Sequence, residues 1–195
     1  MRAVIMAGGK GTRLAAITKN EIPKPMALIA GKPILQWQVE SLKENGIKDI
    51  TFIIGHLGNK IKEYFQNGNK FGVNISYIEE KEPLGTAGSF YYLKELITDE
   101  YFLLAFGDVI FDVDIERMER FHGSKNSLAT LFVHPNSHPF DSDLVVTDED
   151  DKITKFDSKN NVRDYWYDNC VNAGFYIINK CICDEISKPV KLDLE

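Results

Sequence analysis

Cysteine is scarce in this chain. Three thiols, Cys170, Cys181 and Cys183, stand among 195 residues, and their odd number and lack of a Cys-x-x-Cys spacing argue against a disulfide framework. Cys181 and Cys183 fall where an apolar helix begins and are expected to be buried or half-buried thiols. Histidine is also sparse, at four residues. His134 and His138 have helical spacing, but Pro135 and Pro139 forbid the helix that would pair them, which argues against a zinc site. No apolar run approaches the ~20 residues that span a bilayer, so no membrane partner is expected. Met1-Arg-Ala-Val-Ile-Met-Ala-Gly-Gly9 enters an apolar run without a cleavable signal pattern. A cytoplasmic protein is the simplest reading. Excess positive charge is lacking too: the net charge is −6, whereas nucleic-acid binding needs a basic face.

What is present is ordinary for a globular protein, with 44% hydrophobic and 27% charged residues. The length predicts a single domain over residues 1–195. Charge is uneven: Arg2, Lys10, Arg13, Lys19 and Lys24 face a single acid, Glu21, within the first 25 residues. A local basic segment on an acidic chain suits a small anionic ligand better than a polyanion. Apolar strand-like runs alternate with helical patterns, which predicts an α/β fold with a largely parallel sheet. Strands are expected at Arg2–Ala7, Ile50–Ile54, Val73–Ile78, Tyr101–Phe106, Leu128–His134 and Val171–Ile178. Helices are expected at Pro33–Asn45, Asn59–Gln66, Thr86–Ile97 and Asp114–His122, the last capped by Asp114. Residues 144–156 read as a hairpin with an acidic turn, a small antiparallel addition in the second half.

The most informative segment is Met6-Ala-Gly-Gly-Lys-Gly-Thr-Arg-Leu14, directly after the first strand. Glycines at a strand's carboxyl end let backbone N–H groups approach phosphate oxygens with no Cβ in the way. Two familiar glycine fingerprints fail here. Leu14 stands where G-x-G-x-x-G needs its third glycine, and Gly11 is followed by Thr12 and Arg13 where a P-loop needs Lys and Ser or Thr. Gly8-Gly-Lys-Gly-Thr-Arg-Leu14 followed by Pro23-Lys24-Pro25-Met26 resembles the opening signature of the sugar-1-phosphate nucleotidyltransferases. The resemblance implies a Rossmann-like nucleotide-diphospho-sugar transferase fold, with a nucleoside triphosphate and a sugar 1-phosphate as substrates. It implies that Ala7, Gly8, Gly9, Gly11 and Thr12 hold the nucleotide phosphates. Arg13 would grip the pyrophosphate leaving group and Lys24 the α-phosphate. Fixed cations and amides there stabilise the charge that develops in transfer.

Three further segments resemble the family. Leu84-Gly85-Thr86-Ala87-Gly88 is similar to its base-recognition loop, in which Gly85, Thr86 and Ala87 would let a nucleobase lie against backbone N–H and C=O groups. Thr86 is also placed to cap the following helix. Glu80 could accept two hydrogen bonds from the N1–H and N2–H of guanine, a pair that uracil and thymine lack. Gly107-Asp108, ending an apolar strand, resembles the family's magnesium aspartate, and Mg²⁺ is satisfied by one or two carboxylates plus substrate phosphates. Asn172 and Gly174, in Val171-Asn-Ala-Gly-Phe-Tyr-Ile-Ile178, resemble the strand that contacts the sugar. Asp157 and Lys159 would replace the family's usual Glu-Lys-Pro, in a shifted register.

His134-Pro-Asn-Ser-His-Pro-Phe-Asp-Ser-Asp-Leu-Val145 is similar to members acting on D-glycero-D-manno-heptose 1-phosphate with GTP. Mannose 1-phosphate with GTP stands next, then glucose 1-phosphate with dTTP or UTP. The family resemblance leaves room for a homo-oligomer and for a fused or partner sugar-phosphate phosphatase. It covers essentially all 195 residues but not the family's C-terminal element, with its second metal-binding aspartate. Two rivals remain. A non-catalytic regulatory domain would have little need for Arg13, Lys24 and Asp108 together. A glycosyltransferase would mark its metal site with Asp-x-Asp, which Asp112-Val-Asp114 matches formally, but it has no use for the glycine–arginine loop.

Overall fold

The computed structural model describes residues 1–9, 21–163 and 169–194. They gather into two compact units, one of Met1–Thr130 with residues 176–194, the other of Leu131–Phe175.

The first unit is built on parallel strands. β1 (Ala3–Ala7) lies between β4 (Asp49–Ile54) and β6 (Tyr101–Phe106), and β5 (Asn74–Glu79) pairs with the far side of β4. Ala3 is opposite Ile50 on one side and Leu103 on the other, so the carboxyl ends of β1 and β6 reach the same sheet edge. The central strands are buried on both faces, which explains why they read as continuous apolar runs rather than alternating ones. Tyr176–Asn179, the second half of β10 (Val171–Asn179), also belongs to this unit, where Phe106 and Tyr176 are in ring contact. A two-residue ladder joins β2 (Leu28–Ile29) to β3 (Lys32–Pro33).

Helices cover this sheet. α1 (Ile34–Glu44) follows Pro33 and turns Ile34, Leu35, Val39 and Leu42 inward, with Gly46 in the left-handed region just past its end. α2 (Gly58–Phe65) buries Ile61 and Phe65, whose ring meets Phe52 edge-on at 5.2 Å between centroids. The helix expected at Thr86–Ile97 is instead one α-turn, α3 (Gly85–Gly88), running into a 3₁₀ segment at Ser89–Leu93. Phe90 and Leu93 are both fully buried, and the three-residue period of a 3₁₀ helix stacks them on one side. α4 (Ile115–Lys125) is capped as expected: the Asp114 carboxylate accepts from the Arg117 N–H at 2.9 Å. In α5 (Cys181–Glu185) only Cys183 is buried, and burial pushes its thiol up to about 12. Cys181, expected to be buried or half-buried, is exposed, because the five-residue helix turns it away from the face that buries Cys183.

The second unit holds most of β7 (Ala129–His134) and is otherwise antiparallel. β8 (Leu144–Thr147) and β9 (Ile153–Asp157) form the expected hairpin. The Asp148 carboxylate accepts from the backbone N–H groups of Asp150 and Lys152, which organises the acidic turn. On its other edge β8 pairs with β10, Leu144 opposite Val171. Among the described residues no helix is long and apolar enough to cross a membrane.

Phe52 also meets Tyr77 edge-on, which makes it the hub of the packing between β4, β5 and α2. Phe52→Ala is expected to cost about 3–5 kcal/mol, measured as a lower urea midpoint with an unchanged slope.

Candidate active site

The carboxyl edge of an open parallel sheet is where such folds bind ligands. Here β1 runs out into Gly8-Gly9 and β6 into Gly107-Asp108. The Gly107 N–H extends the ladder by donating to Met6 O at 2.9 Å. A Cβ on Gly107 would sit 2.9 Å from Met6 O and 3.1 Å from Pro25 Cγ, so only glycine lets the two strand ends and Pro25 close together. Pro25 belongs to the 3₁₀ turn Lys24–Met26, closed by Met26 N–H to Pro23 O at 2.8 Å. Two prolines fix its backbone. Lys24 is thereby held over the sheet edge, and its ammonium pairs with the Asp108 carboxylate. Both side chains remain partly exposed, 26% and 31%, so the pair stays accessible to a ligand.

Sequence reasoning missed the residue beneath this turn. Gln38 on α1 is 1% exposed, and its Nε2 donates to Phe106 O at 2.7 Å and to Val109 O. It clasps the turn that carries Asp108 from both sides. The available signal was a lone amide on the otherwise apolar face of an amphipathic helix, where a buried polar group must find partners.

Glu80 lies just beyond β5, anchored by its N–H to Ile54 O at 2.8 Å. Its carboxylate reaches back to β1: Oε2 is 3.2 Å from where a Cβ on Gly8 would stand. Oε1 is buried and has no hydrogen-bond partner among the described residues. Burial pushes the carboxyl above the ordinary range, opposed by a backbone hydrogen bond from Leu84. A buried carboxylate oxygen without a donor is a place prepared for one.

These groups share a cavity of about 340 Å³. It is lined by Met6–Gly9 at the end of β1, by Phe106 and Asp108 at the end of β6, by Lys24 and Pro25, and by Glu80, Pro83, Gly85 and Thr86. Gly11, Thr12 and Arg13 lie outside the described residues. Ala87 is buried behind the wall rather than lining it. The loop differs from expectation in one respect. The N–H groups of Thr86 and Ala87 are engaged within the chain, by the Asp193 carboxylate at 3.0 Å and Leu192 O at 2.9 Å, and are not free to read a base edge. Nor does Thr86 cap the helix; its hydroxyl accepts from the Leu194 N–H at 2.8 Å.

The expected sugar-binding residues fall in the second unit. The Asp157 side chain is 1% exposed and accepts from Arg163 Nε at 2.9 Å and Asn161 Nδ2 at 2.8 Å. Arg163 also donates to Pro139 O, Ser142 O and Asp157 O, tying the 135–142 loop to β9. Asp157 is therefore an internal anchor. Lys159 is exposed, with its backbone N–H on the Asp143 carboxylate at 2.8 Å. Asn172 Oδ1 accepts from the Gly174 N–H at 3.0 Å and stabilises a left-handed residue inside β10.

The model of the nucleotidyl transferase family matches residues 2–193. The chain belongs to that family. The chain is 33% identical to a UTP–glucose-1-phosphate uridylyltransferase of Synechocystis over 100% of this chain and 53% of the relative. It is 35% identical to a D-glycero-alpha-D-manno-heptose 1-phosphate guanylyltransferase of Campylobacter jejuni over 100% of this chain and 83% of the relative. Its fold matches the crystal structure of HddC from Yersinia pseudotuberculosis complexed with GMP-PN, with TM-score 0.81 and 26% identity over 100% of this chain and 83% of that one. The chain spans only about half the length of several curated relatives it matches. The mixed α/β fold with a mostly parallel central sheet is shared with these structures.

Two tests follow from the geometry. Because burial raises the folded-state pKa of Glu80, the ionised group lowers stability as pH rises through that raised value, and the loss is absent below the ordinary carboxylate range. Glu80→Gln should raise the melting temperature at neutral pH, with the gain disappearing in acid. Asp157→Ala removes the enclosed carboxylate that pairs with Arg163 and holds Asn161, and should lower stability by about 3–5 kcal/mol, measured by denaturant unfolding.

Proposed function

We propose that this protein transfers a nucleoside monophosphate from GTP to D-glycero-D-manno-heptose 1-phosphate, releasing pyrophosphate. The observation that carries the reading is a single cavity lined both by the Lys24–Asp108 pair and by Glu80, whose Oε1 is buried without a hydrogen-bond partner among the described residues. In this reading the pair serves the phosphates and Glu80 the base. Glu80 favours guanine, since an ionised carboxylate matches two adjacent N–H donors, whereas uracil and thymine offer one on that edge. The sugar is chosen from the His134–Val145 resemblance and from the Campylobacter relative. Mannose 1-phosphate is the next candidate. The Synechocystis relative, whose name specifies UTP and glucose 1-phosphate, makes uridylyl transfer the alternative for the assay to exclude.

In this reading a phosphate oxygen of the sugar 1-phosphate displaces pyrophosphate from the α-phosphorus in line. The nucleophile is already an anion, so no side-chain base is required. Positioning and charge stabilisation then supply the acceleration. Gly8 and Gly9 bring backbone to the phosphates. The Lys24 ammonium leaves Asp108 to meet the α-phosphate, and Arg13 is assigned the departing pyrophosphate by the family resemblance. Asp108 offers a hard oxygen donor at the cavity wall. Among the described residues no group of three or more His, Cys, Asp or Glu side chains could hold a metal. One carboxylate completed by substrate phosphates suits Mg²⁺, which when bound would neutralise phosphate charge. Asn172, Gly174 and Lys159 remain candidates for sugar contact. A cytoplasmic setting, self-association and a sugar-phosphate phosphatase partner belong to the same reading.

The test is pyrophosphate release, crossing GTP, UTP, dTTP and CTP against heptose, mannose and glucose 1-phosphates. Turnover confined to GTP and the heptose is expected. Lys24→Ala and Asp108→Asn should each lower kcat by roughly 10²–10³ with little change in melting temperature. Near-wild-type turnover in both variants would overturn the assignment.

A further inference from the structure

The wall of the cavity formed by Gly85 and Thr86 is backed by a segment from far along the chain. Residues 190–194 lie against α3 and make five hydrogen bonds with residues 84–88. Leu192 N–H donates to Leu84 O at 2.9 Å, and Leu192 O accepts from Ala87 N–H at 2.9 Å and Gly88 N–H at 3.1 Å. The Asp193 carboxylate accepts from Thr86 N–H at 3.0 Å. Leu194 N–H donates to the Thr86 hydroxyl. Approach is close enough to explain both glycines. A Cβ on Gly85 would be 2.5 Å from Leu192 O and from Asp193 Oδ1, and one on Gly88 would be 2.1 Å from Val190 O.

α3 cannot hold itself in place. It is a single turn with a glycine at each end, each costing about 1 kcal/mol in a helix relative to alanine, and isolated helices so short do not persist. Its shape is therefore set from behind, by a partner 107 residues away in sequence. On its other side the same turn lines the cavity beside Glu80, whose carboxylate accepts a hydrogen bond from the backbone of Leu84 at the start of the loop.

We propose that Val190–Leu194 is a strap that determines nucleotide selectivity, with Asp193 as its positioning residue. By fixing the Leu84–Thr86 backbone, which hydrogen-bonds the Glu80 carboxylate, it fixes the slot that these groups line and so which base reaches the carboxylate in register. This rests on the reading that the cavity takes a nucleotide. Asp193 is not a catalytic residue, because it acts through Thr86. Side-chain deletion should loosen the slot and admit bases that the held loop refuses.

Equilibrium binding of GTP and of UTP, without sugar, separates the possibilities. Asp193→Asn keeps an acceptor oxygen and should bind as wild type does. Asp193→Ala removes the acceptor and should lose roughly tenfold in GTP affinity, with a comparable fall in the GTP-to-UTP preference. A purely structural strap would weaken both nucleotides alike and leave their ratio unchanged, and that result overturns the proposal. Wild-type protein that binds neither nucleotide overturns the functional reading itself, and the selectivity role with it. Amide hydrogen exchange on the ligand-free wild type gives a second measurement that needs no variant. Thr86, Ala87 and Gly88 should be protected, and rapid exchange at all three would show that the strap does not hold the loop.

Discussion

The parallel pairing of β1 with β6 is the constraint on which the rest of the site depends. Because Ala3 is opposite Leu103, both strands finish at one edge, where Gly8-Gly9 and Gly107-Asp108 emerge side by side. The step after the ladder is tighter still, with Gly107 N–H on Met6 O and no room for a side chain between β1, β6 and Pro25. Lys24 meets Asp108 only because that closure brings the Pro-Lys-Pro turn down onto the sheet. A register shift of one residue would carry Asp108 to the other face.

Around this edge the protein keeps charges in places that favour ligand over fold. Glu80 is half-buried with one oxygen unpartnered among the described residues, an arrangement that lowers stability in the free protein. Lys24 and Asp108 neutralise one another in the free protein but stay half-open to solvent, where such pairs contribute little to stability. Buried charge serves the fold in the second unit instead. Asp157 and Arg163 are almost fully enclosed and hold loop to hairpin through a net of carbonyl contacts.

Much of this was legible in the chain. Val4, Ile5, Phe102 and Leu103 announce strands buried on both sides, and the Gly8-Gly9 and Gly107-Asp108 breaks mark where those strands stop. Asp114 was readable as a cap because its partner, Arg117, is three residues away. Thr86 has the spacing of an N-cap, yet its hydroxyl is engaged by Leu194, 108 residues away. Asp157 has near neighbours for partners, Asn161 and Arg163, but only the packed loop turns their side chains onto it. Gln38 was overlooked because a single amide on an apolar face says nothing of the carbonyls it will meet.

The sequence by itself determined the strands, their breaks and the family, since these depend on short-range periodicity, on glycine and proline geometry, and on motifs a dozen residues long. Only the tertiary structure decided which polar groups are free and which are engaged. Leu192 and Asp193 meet residues 84–88 across more than a hundred positions of chain, and Phe106 meets Gln38 across 68. Hydrogen-bond satisfaction is a property of the packed molecule: a buried donor takes whichever acceptor the fold brings within 3 Å, and no local pattern records which one that will be.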